Sequence, residues 1–167
     1  MLEIPYAAGV FDADGCVTII RAKRGDTIRH ILRVDVSNCY APLCEAFKAQ
    51  FGGGIVRRPI RQRKARDPNE WGTRDTFTWY IGTAKAGGFL TIILPYMMVK
   101  REEAEVALKF QAIVSDPYGP KKLSPENFAE REHLAALCSS LKRRRYDLNG
   151  LPSVAALSCH HVHSVSR

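Results

Sequence analysis

One short segment near the start of the chain, Ala7-Ala8-Gly9-Val10-Phe11-Asp12-Ala13-Asp14-Gly15, constrains the fold more than any other feature. A short helix is predicted over Pro5–Asp12, because proline is tolerated in a first helical turn. Small side chains let another helix pack closely against it, and Gly15 is suited to end it in a left-handed conformation. The helix dipole disfavours acids at this end, so a compensating cation is expected. A hard divalent ion such as Mg²⁺ prefers carboxylate and carbonyl oxygens.

The rest of the chain predicts an α+β domain with an antiparallel sheet. Its 167 residues, 46% of them hydrophobic, suffice for one folded core. Strand-like segments rich in Ile, Val and Thr are predicted at 17–23, 28–38, 55–64 and 76–82. Helices are predicted at 42–51, 85–94 and 99–114, and Ser124-Pro125 predicts the N-terminus of another. We expect residues 1–115 to form the core domain and residues 116–167 a helical extension of it with a basic tail.

Positive charge is concentrated in two runs. The chain has 25 Lys and Arg against 17 Asp and Glu, a net charge of +8, and nucleic acid is the default partner of such a domain. Six of the ten residues from Arg57 to Arg66 are basic, and they lie on a strand pattern. The second run, Lys142–Arg145, follows a predicted helix and is either a phosphate-contacting cluster or an ordinary solvated tail.

No membrane partner and no disulfide framework are expected. The longest apolar run, Phe89–Val99, has eleven residues and contains Pro95, which is too short to span a bilayer. The five cysteines include no CxxC pair, which is typical of reduced thiols. We therefore expect a protein of the prokaryotic cytoplasm or of an organellar matrix or stroma.

Alternation along the strands predicts one apolar and one polar face of the sheet. On the second strand, Leu32, Val34 and Val36 alternate with polar residues, and on the third, Val56 and Ile60 are predicted to face the core. A two-stranded ribbon fits the DNA major groove, where arginine bonds guanine. The faces of the first strand are not distinguished by its sequence. The predicted DNA-binding residues are Arg24, Arg29, Arg33, Asp35, Ser37, Arg57, Arg61 and Arg63.

The segment 7–15 resembles the signature of the LAGLIDADG homing endonucleases, and the resemblance extends over nearly the whole chain. The signature is present once, as in the members that act as homodimers. Phe89-Leu90-Thr91, Pro95 and Lys100 look like the stretch that leads to a basic active-site residue in that family. The resemblance implies an αββαββα core with a saddle-shaped antiparallel sheet and C-terminal helices. It also implies a sequence-specific double-strand DNA endonuclease that cuts a long pseudo-palindromic site.

The resemblance also implies roles for particular residues. Asp14 matches the metal-binding acid, and Ala13 matches the residue whose backbone carbonyl faces the metal. Lys100 matches the basic residue that stabilises phosphate charge or orients water, and Asn38 matches a polar water-ordering residue. Pro42 stands where related homodimers carry another basic residue. The cofactor implied is Mg²⁺, or Mn²⁺ or Ca²⁺ at the same site. The implied dimer interface contains Ala8, Gly9, Phe11 and Asp12, the last acid being structural.

Two other classes of function compete with this interpretation. Asp12 also resembles the nucleophile of haloacid-dehalogenase-type phosphatases, but that chemistry requires a parallel sheet, and this chain predicts hairpins. The same fold without cleavage would serve as a DNA-binding regulator or as a splicing maturase, whose partner would be RNA. His160, His161 and His163 could bind a transition metal, although a solvated tail is the simpler interpretation.

Overall fold

The computed structural model describes residues 1–25, 27–59, 74–114 and 124–146. Its elements follow the predicted αββαββα order, with two further helices after it. They are α1 (Ile4–Asp14), β1 (Gly15–Arg24), β2 (Thr27–Asn38), α2 (Ala41–Phe51), β3 (Gly54–Arg58), β4 (Thr76–Gly82), α3 (Thr83–Ile93), α4 (Arg101–Val114) and α5 (Pro125–Tyr146), with a short 3₁₀ helix at Leu94–Tyr96. Among these described elements, none is long and apolar enough to cross a membrane.

The strands form one antiparallel sheet in the order β1-β2-β4-β3. The β1–β2 hairpin pairs Gly15 with Val36 at one end and Arg24 with Thr27 at the other. Strand β4 then pairs with β2 on one side and β3 on the other. The predicted α+β class is confirmed, and this antiparallel sheet does not suit the parallel strand order that the phosphatase alternative requires.

One face of the sheet packs against the helices and forms the core. Leu32, Val34 and Val36 are buried there, as their alternation predicts. Trp79 is fully buried among aromatic rings, and its indole N–H donates a hydrogen bond of 2.7 Å to the Gly52 carbonyl. The rings packed around it belong to Phe47, Phe51 and Phe89. We refer to this side of the sheet as the helix-facing side and to the opposite side as the open face.

The predicted faces of β3 are inverted. Ile55 pairs with Trp79 and packs against the core, so Arg57, two residues further on, lies on the helix-facing side. Val56 is 43% exposed and shares the open face with Arg58. Pairing with β4 decides which residues of β3 face the core, because Ile55 lies opposite the buried Trp79. Because a shift of one residue exchanges the faces, Arg58 replaces Arg57 on the open face.

Gly15 is required for a different reason from the one predicted. Its backbone is extended (φ −84°, ψ 164°), so no left-handed conformation ends α1. A Cβ atom at this position would overlap the ring and the carbonyl of Phe11. The glycine therefore allows β1 to leave the helix directly over Phe11, which places the end of α1 at the end of the sheet.

Helix α5 crosses edge strand β1. Ser124 caps it as predicted, since its Oγ accepts a hydrogen bond of 3.2 Å from the Asn127 N–H. Glu132 Oε1 lies 3.0 Å from Nε2 of the buried His30 and accepts a 2.7 Å bond from Arg21 Nε. His30 is thus a core residue, as its strand parity predicts. The Arg21 hydrogen bond is the main cause of a lowered pKa of Glu132, and the His30 contact adds to it.

Candidate active site and nucleic-acid interface

The junction of α1 and β1 brings the predicted residues Asp14 and Asn38 together. Asp14 is the exposed last residue of α1, and Asn38 is the last residue of β2. Asn38 Nδ2 donates a 2.7 Å hydrogen bond to Asp14 Oδ2. Asn38 Oδ1 accepts a 2.8 Å bond from the Tyr40 N–H, which fixes the orientation of the amide group. Asn38 therefore contacts the carboxylate directly, a closer relation than the predicted ordering of water.

Lys100 lies at the same helix end but is buried, with 6% of its surface exposed. Its ammonium group donates to the Phe11 carbonyl at 3.1 Å, to the Ala13 carbonyl at 3.2 Å and to the carbonyl of Asp12. A positive charge at a helix C-terminus is favourable. Lys100 thus supplies a cation opposite the helix dipole, and the dipole does not by itself require a metal ion there.

The Asp12 side chain points away from these carbonyls and binds the turn before α4. Its Oδ2 accepts hydrogen bonds from the Met98 N–H (2.6 Å) and the Val99 N–H (3.2 Å). Its Oδ1 accepts a 3.0 Å bond from the Lys100 N–H. The carboxylate therefore has three backbone donors, which fits the structural role implied for this acid.

The oxygen donors at this junction fit a hard cation only in part. The Asp14 carboxylate and the Ala13 carbonyl are of the type that Mg²⁺ prefers; Asp14 is exposed, whereas the Ala13 carbonyl already accepts a hydrogen bond from Lys100. In the described residues, however, no three His, Cys, Asp or Glu side chains come together to hold a metal. One chain thus contributes one carboxylate, and a complete site needs further ligands from elsewhere.

The prediction of a dimer interface is wrong for two of its residues. Ala8 and Phe11 have no exposed surface in the single chain, because they pack into its own core. The outward side of α1 instead carries Tyr6, Gly9 and Ala13, whose spacing places them along one exposed stripe. An added Cβ on Gly9 would meet no heavy atom within 4 Å. The predicted residue Gly9 therefore remains available to a partner, and Asp12 is half-buried beside it.

The open face carries the predicted polar residues of β2. Arg29 and Ser37 are exposed, and Arg33 and Asp35 are half-buried. Burial raises the pKa of Asp35, while the charges of Arg33, Lys142 and Arg58 act in the opposite direction. Arg24 ends β1, but its side chain, like Arg61, Arg63 and the histidines at 160, 161 and 163, lies outside the described residues.

The sequence predictions miss Arg58 and Tyr80 on the open face, whereas Lys142 belongs to the basic run that they offer as a possible phosphate-contacting cluster. Arg58 lies there by the β3 register, and the Tyr80 ring stacks under the Arg33 guanidinium, 4.6 Å from its centroid. Lys142 reaches around β1 from α5 and donates to Thr18 Oγ1 at 2.8 Å and to Cys16 Sγ at 3.3 Å. The alternation of β4 could have indicated Tyr80, whereas the position of Lys142 depends on how α5 crosses the sheet.

These features define a class by fold: the chain has the fold of the LAGLIDADG homing endonucleases. Among solved structures it is similar to the homing endonuclease I-CvuI in complex with its target in the presence of calcium. The TM-score is 0.63 at 19% identity, over 83% of this chain and 80% of I-CvuI. The archaeal intron-encoded homing endonuclease I-Vdi141I, complexed with DNA, gives a TM-score of 0.63 at 18% identity, over 83% of this chain and 82% of that one.

A third similar structure is longer. The LAGLIDADG homing endonuclease I-GzeII, in complex with its DNA target, gives a TM-score of 0.57 at 17% identity, over 100% of this chain and 52% of I-GzeII. This chain therefore spans about half of that protein. No protein-family model and no curated protein matches the chain.

Proposed function

We propose that this protein is a homing endonuclease: a homodimer that cleaves both strands of a long pseudo-palindromic DNA site by divalent-metal-assisted hydrolysis. The observation that carries the proposal is the α1–β1 junction. There, an exposed Asp14 is held by Asn38 beside the Lys100 ammonium, at one end of a sheet whose open face carries arginines.

The open face is the proposed DNA surface. Arg29, Arg33 and Arg58 provide positive charge on neighbouring strands, and Lys142 adds charge at the β1 edge. Phosphate contacts would give salt-dependent affinity, and arginine contacts with guanine would give sequence preference. The structural neighbours I-CvuI, I-Vdi141I and I-GzeII are DNA complexes, which supports the same partner here.

A second copy of the chain would complete the active site. One chain offers one exposed carboxylate at the junction, and the outward stripe of α1 ends beside it. Pairing two chains through Tyr6, Gly9 and Ala13 would bring two Asp14 side chains together. It would also bring two open faces together in a dimer with a formal charge of +16, twice the +8 of one chain. A two-fold axis in the protein predicts matching half-sites in the DNA.

Asp14 and the Ala13 carbonyl are the residues that would hold Mg²⁺, or Mn²⁺ or Ca²⁺ in its place. A bound divalent ion supplies activated water and stabilises the leaving oxygen in phosphodiester hydrolysis. Asn38 holds the Asp14 carboxylate through a hydrogen bond, and Lys100 holds positive charge at the carbonyl of the preceding Ala13. The structural neighbour I-CvuI is seen with its own target in 2 mM calcium, and with the I-CreI target, not cleaved, in 2 mM magnesium.

Replacing Asp14 by Asn tests the catalytic assignment. The substrate is a DNA sequence that the wild-type protein selects in the presence of chelator. When Mg²⁺ is added, we expect Asp14→Asn to cleave this DNA roughly a thousandfold more slowly than the wild type, because the ion loses its carboxylate ligand. Binding in chelator is expected to stay within about threefold, because the open face is unchanged. Glu105→Gln, which neutralises an exposed acid on α4, is the matched control.

Loss of binding together with cleavage would make Asp14 a structural residue. Undiminished cleavage by the variant would refute the proposed active site. A wild-type protein that selects a sequence but never cuts it would instead be a binding protein or a maturase, and RNA would then be the ligand to test.

The dimer is tested at Gly9. A large side chain there would separate two α1 helices, so we expect Gly9→Leu to sediment as a monomer at concentrations where the wild type is a dimer. Gly88→Leu is the matched control, because Gly88 is also exposed, helical and surrounded by open space. Identical sedimentation of all three proteins would contradict the proposed interface.

A further inference from the structure

Two helix ends are joined by a reciprocal pair of charged side chains at the α1–β1 junction. We infer that Asp12 is a positioning residue for the cleavage reaction: it fixes the turn that carries Lys100 and so holds the Lys100 ammonium against the end of α1, beside Asp14. The inference rests on the proposed function. In it, Asp12 neither binds the metal nor contacts the partner chain.

The first half of the pair is the Asp12 carboxylate at the start of α4. It accepts hydrogen bonds from the N–H groups of Met98, Val99 and Lys100, at 2.6, 3.2 and 3.0 Å. The Lys100 carbonyl then accepts the first helical bond, from Ala104 N–H at 3.1 Å. The carboxylate therefore lies at the N-terminus of α4, where free N–H groups and the helix dipole both favour negative charge.

The second half is the Lys100 ammonium at the end of α1. It donates to the carbonyls of Phe11, Asp12 and Ala13 in the last turn of the helix, where the Phe11 carbonyl also accepts from the Gly15 N–H and the carbonyls at the very end have no helical N–H left to accept from. Each helix thus receives from the other the charge that its own end favours. Because Ala13 directly precedes Asp14, a displaced Lys100 would disturb the position of the proposed catalytic acid.

Side-chain burial holds the turn before α4 only at its two ends, because Met97 and Lys100 are buried whereas the two residues between them are not. Met98 is 86% exposed and Val99 is 57% exposed, so these two residues contribute little apolar packing. Lys100 is buried at 6%, and its backbone N–H is held by Asp12. The carboxylate of Asp12 holds the backbone N–H groups of residues 98–100, while Arg101 binds the preceding carbonyls of Leu94 and Met97.

A carboxylate is required because three donors converge on its two oxygens. An asparagine at this position has nearly the same shape but only one acceptor oxygen, and its NH₂ group would face an N–H donor. We therefore expect Asp12→Asn to release the turn without creating a cavity. Asp12→Glu keeps both oxygens, so it should recover part of the lost function.

A double-mutant cycle on cleavage tests whether Asp12 acts through Lys100. Single-turnover rates at saturating target DNA with Mg²⁺, and Kd values in chelator, are measured for Asp12→Asn, Lys100→Met and the double variant. We expect Asp12→Asn to slow cleavage by roughly tenfold to a hundredfold, with Kd within about twofold of wild type. The double variant should cut no more slowly than Lys100→Met alone, because the two residues act as one unit.

Multiplying effects in the double variant, or wild-type cleavage by Asp12→Asn, would overturn the inference. Amide hydrogen exchange of the full-length protein, without DNA or metal, gives a second readout. Exchange at residues 98–100 should be faster in Asp12→Asn and unchanged in the Glu105→Gln control. If the wild-type protein cuts no DNA, both the proposed nuclease function and this role of Asp12 are wrong. If amide exchange at residues 98–100 is unchanged in Asp12→Asn, only the proposed link between Asp12 and Lys100 is wrong.

Discussion

The two sides of the sheet are made from the same strands but use them in opposite ways. On the helix-facing side, Trp79 and Val34 are fully buried and pack against helices. On the open face, the adjacent residues Tyr80 and Arg33 contact each other, and among the described residues no helix covers the face as a layer. One side therefore supplies stability, while the other leaves charged side chains available for a polyanion.

The difference shows why neighbouring residues in this chain should not be expected to share a role. Because strand side chains alternate, Trp79 and Tyr80, or Arg57 and Arg58, lie on opposite sides although they are adjacent in sequence. Substituting each member of such a pair in turn distinguishes effects on stability from effects on DNA binding, and each variant is the control for the other.

The largest expected effect is on stability. Trp79→Ala would empty a closely packed aromatic cluster and remove the hydrogen bond to Gly52, so we expect the free energy of unfolding to fall by about 3–5 kcal/mol. Tyr80→Ala should cost only about 1 kcal/mol, because the ring is partly exposed and mainly stacks on Arg33. Urea denaturation of the two variants measures both values, and equal losses would contradict the distinction between the two sides.

The next effect is on DNA affinity. Arg58→Ala removes an open-face charge, and we expect the free energy of binding to the selected DNA to weaken by about 1–3 kcal/mol, roughly a fivefold to 150-fold rise in Kd, if Arg58 reads a base. Arg57→Ala should leave Kd nearly unchanged, because Arg57 lies on the helix-facing side and pairs with Asp75. Binding titrations over a range of salt concentrations are the measurement. A greater loss of DNA affinity from Arg57→Ala than from Arg58→Ala would support Arg57, as the sequence predicts, and not Arg58 as the DNA-binding residue.

The smallest effect concerns α5, the one described helix that contacts both sides of the sheet through Glu132 and Lys142. The pKa of Glu132 is lowered below its ordinary value of 4.5, mainly by the Arg21 hydrogen bond. Its stabilising contribution is therefore present above pH 4.5 and is lost as the pH falls through the lowered value. We expect Glu132→Gln to reduce the acid sensitivity of unfolding below pH 4.5, and an unchanged pH profile would contradict this anchoring role.

The sequence was sufficient for features decided by local chemistry. Ser124 caps α5, His30 is buried, and Leu32, Val34 and Val36 face the core, because capping and alternation depend on nearby residues. Features decided by tertiary pairing were not predictable in the same way. The phase of β3 depends on its partner β4, so Arg57 and Arg58 were exchanged.

In the candidate site, too, contacts between residues distant in sequence were the features that the sequence did not reveal. The resemblance names Asp14 and Asn38 separately, and the hydrogen bond between them becomes visible only when α1 and β2 end beside each other in the fold. The contact of Lys100 with three carbonyls joins residues almost ninety positions apart, with sequence separations of 87 to 89. The resemblance implies a partner surface that contains Ala8 and Phe11, but the sequence alone does not show whether such residues pack within one chain or between two, and here both are buried in the core of the single chain.

The most direct test of the proposed activity is cleavage of a randomised double-stranded DNA library, with Mg²⁺ and with chelator, followed by sequencing of the cut ends. The proposed open-face interface and the proposed pairing of two Asp14 side chains predict Mg²⁺-dependent cuts in both strands at one long, nearly symmetric site, and none with Asp14→Asn. Absence of cuts under every condition, or cuts that persist in Asp14→Asn, would contradict the account.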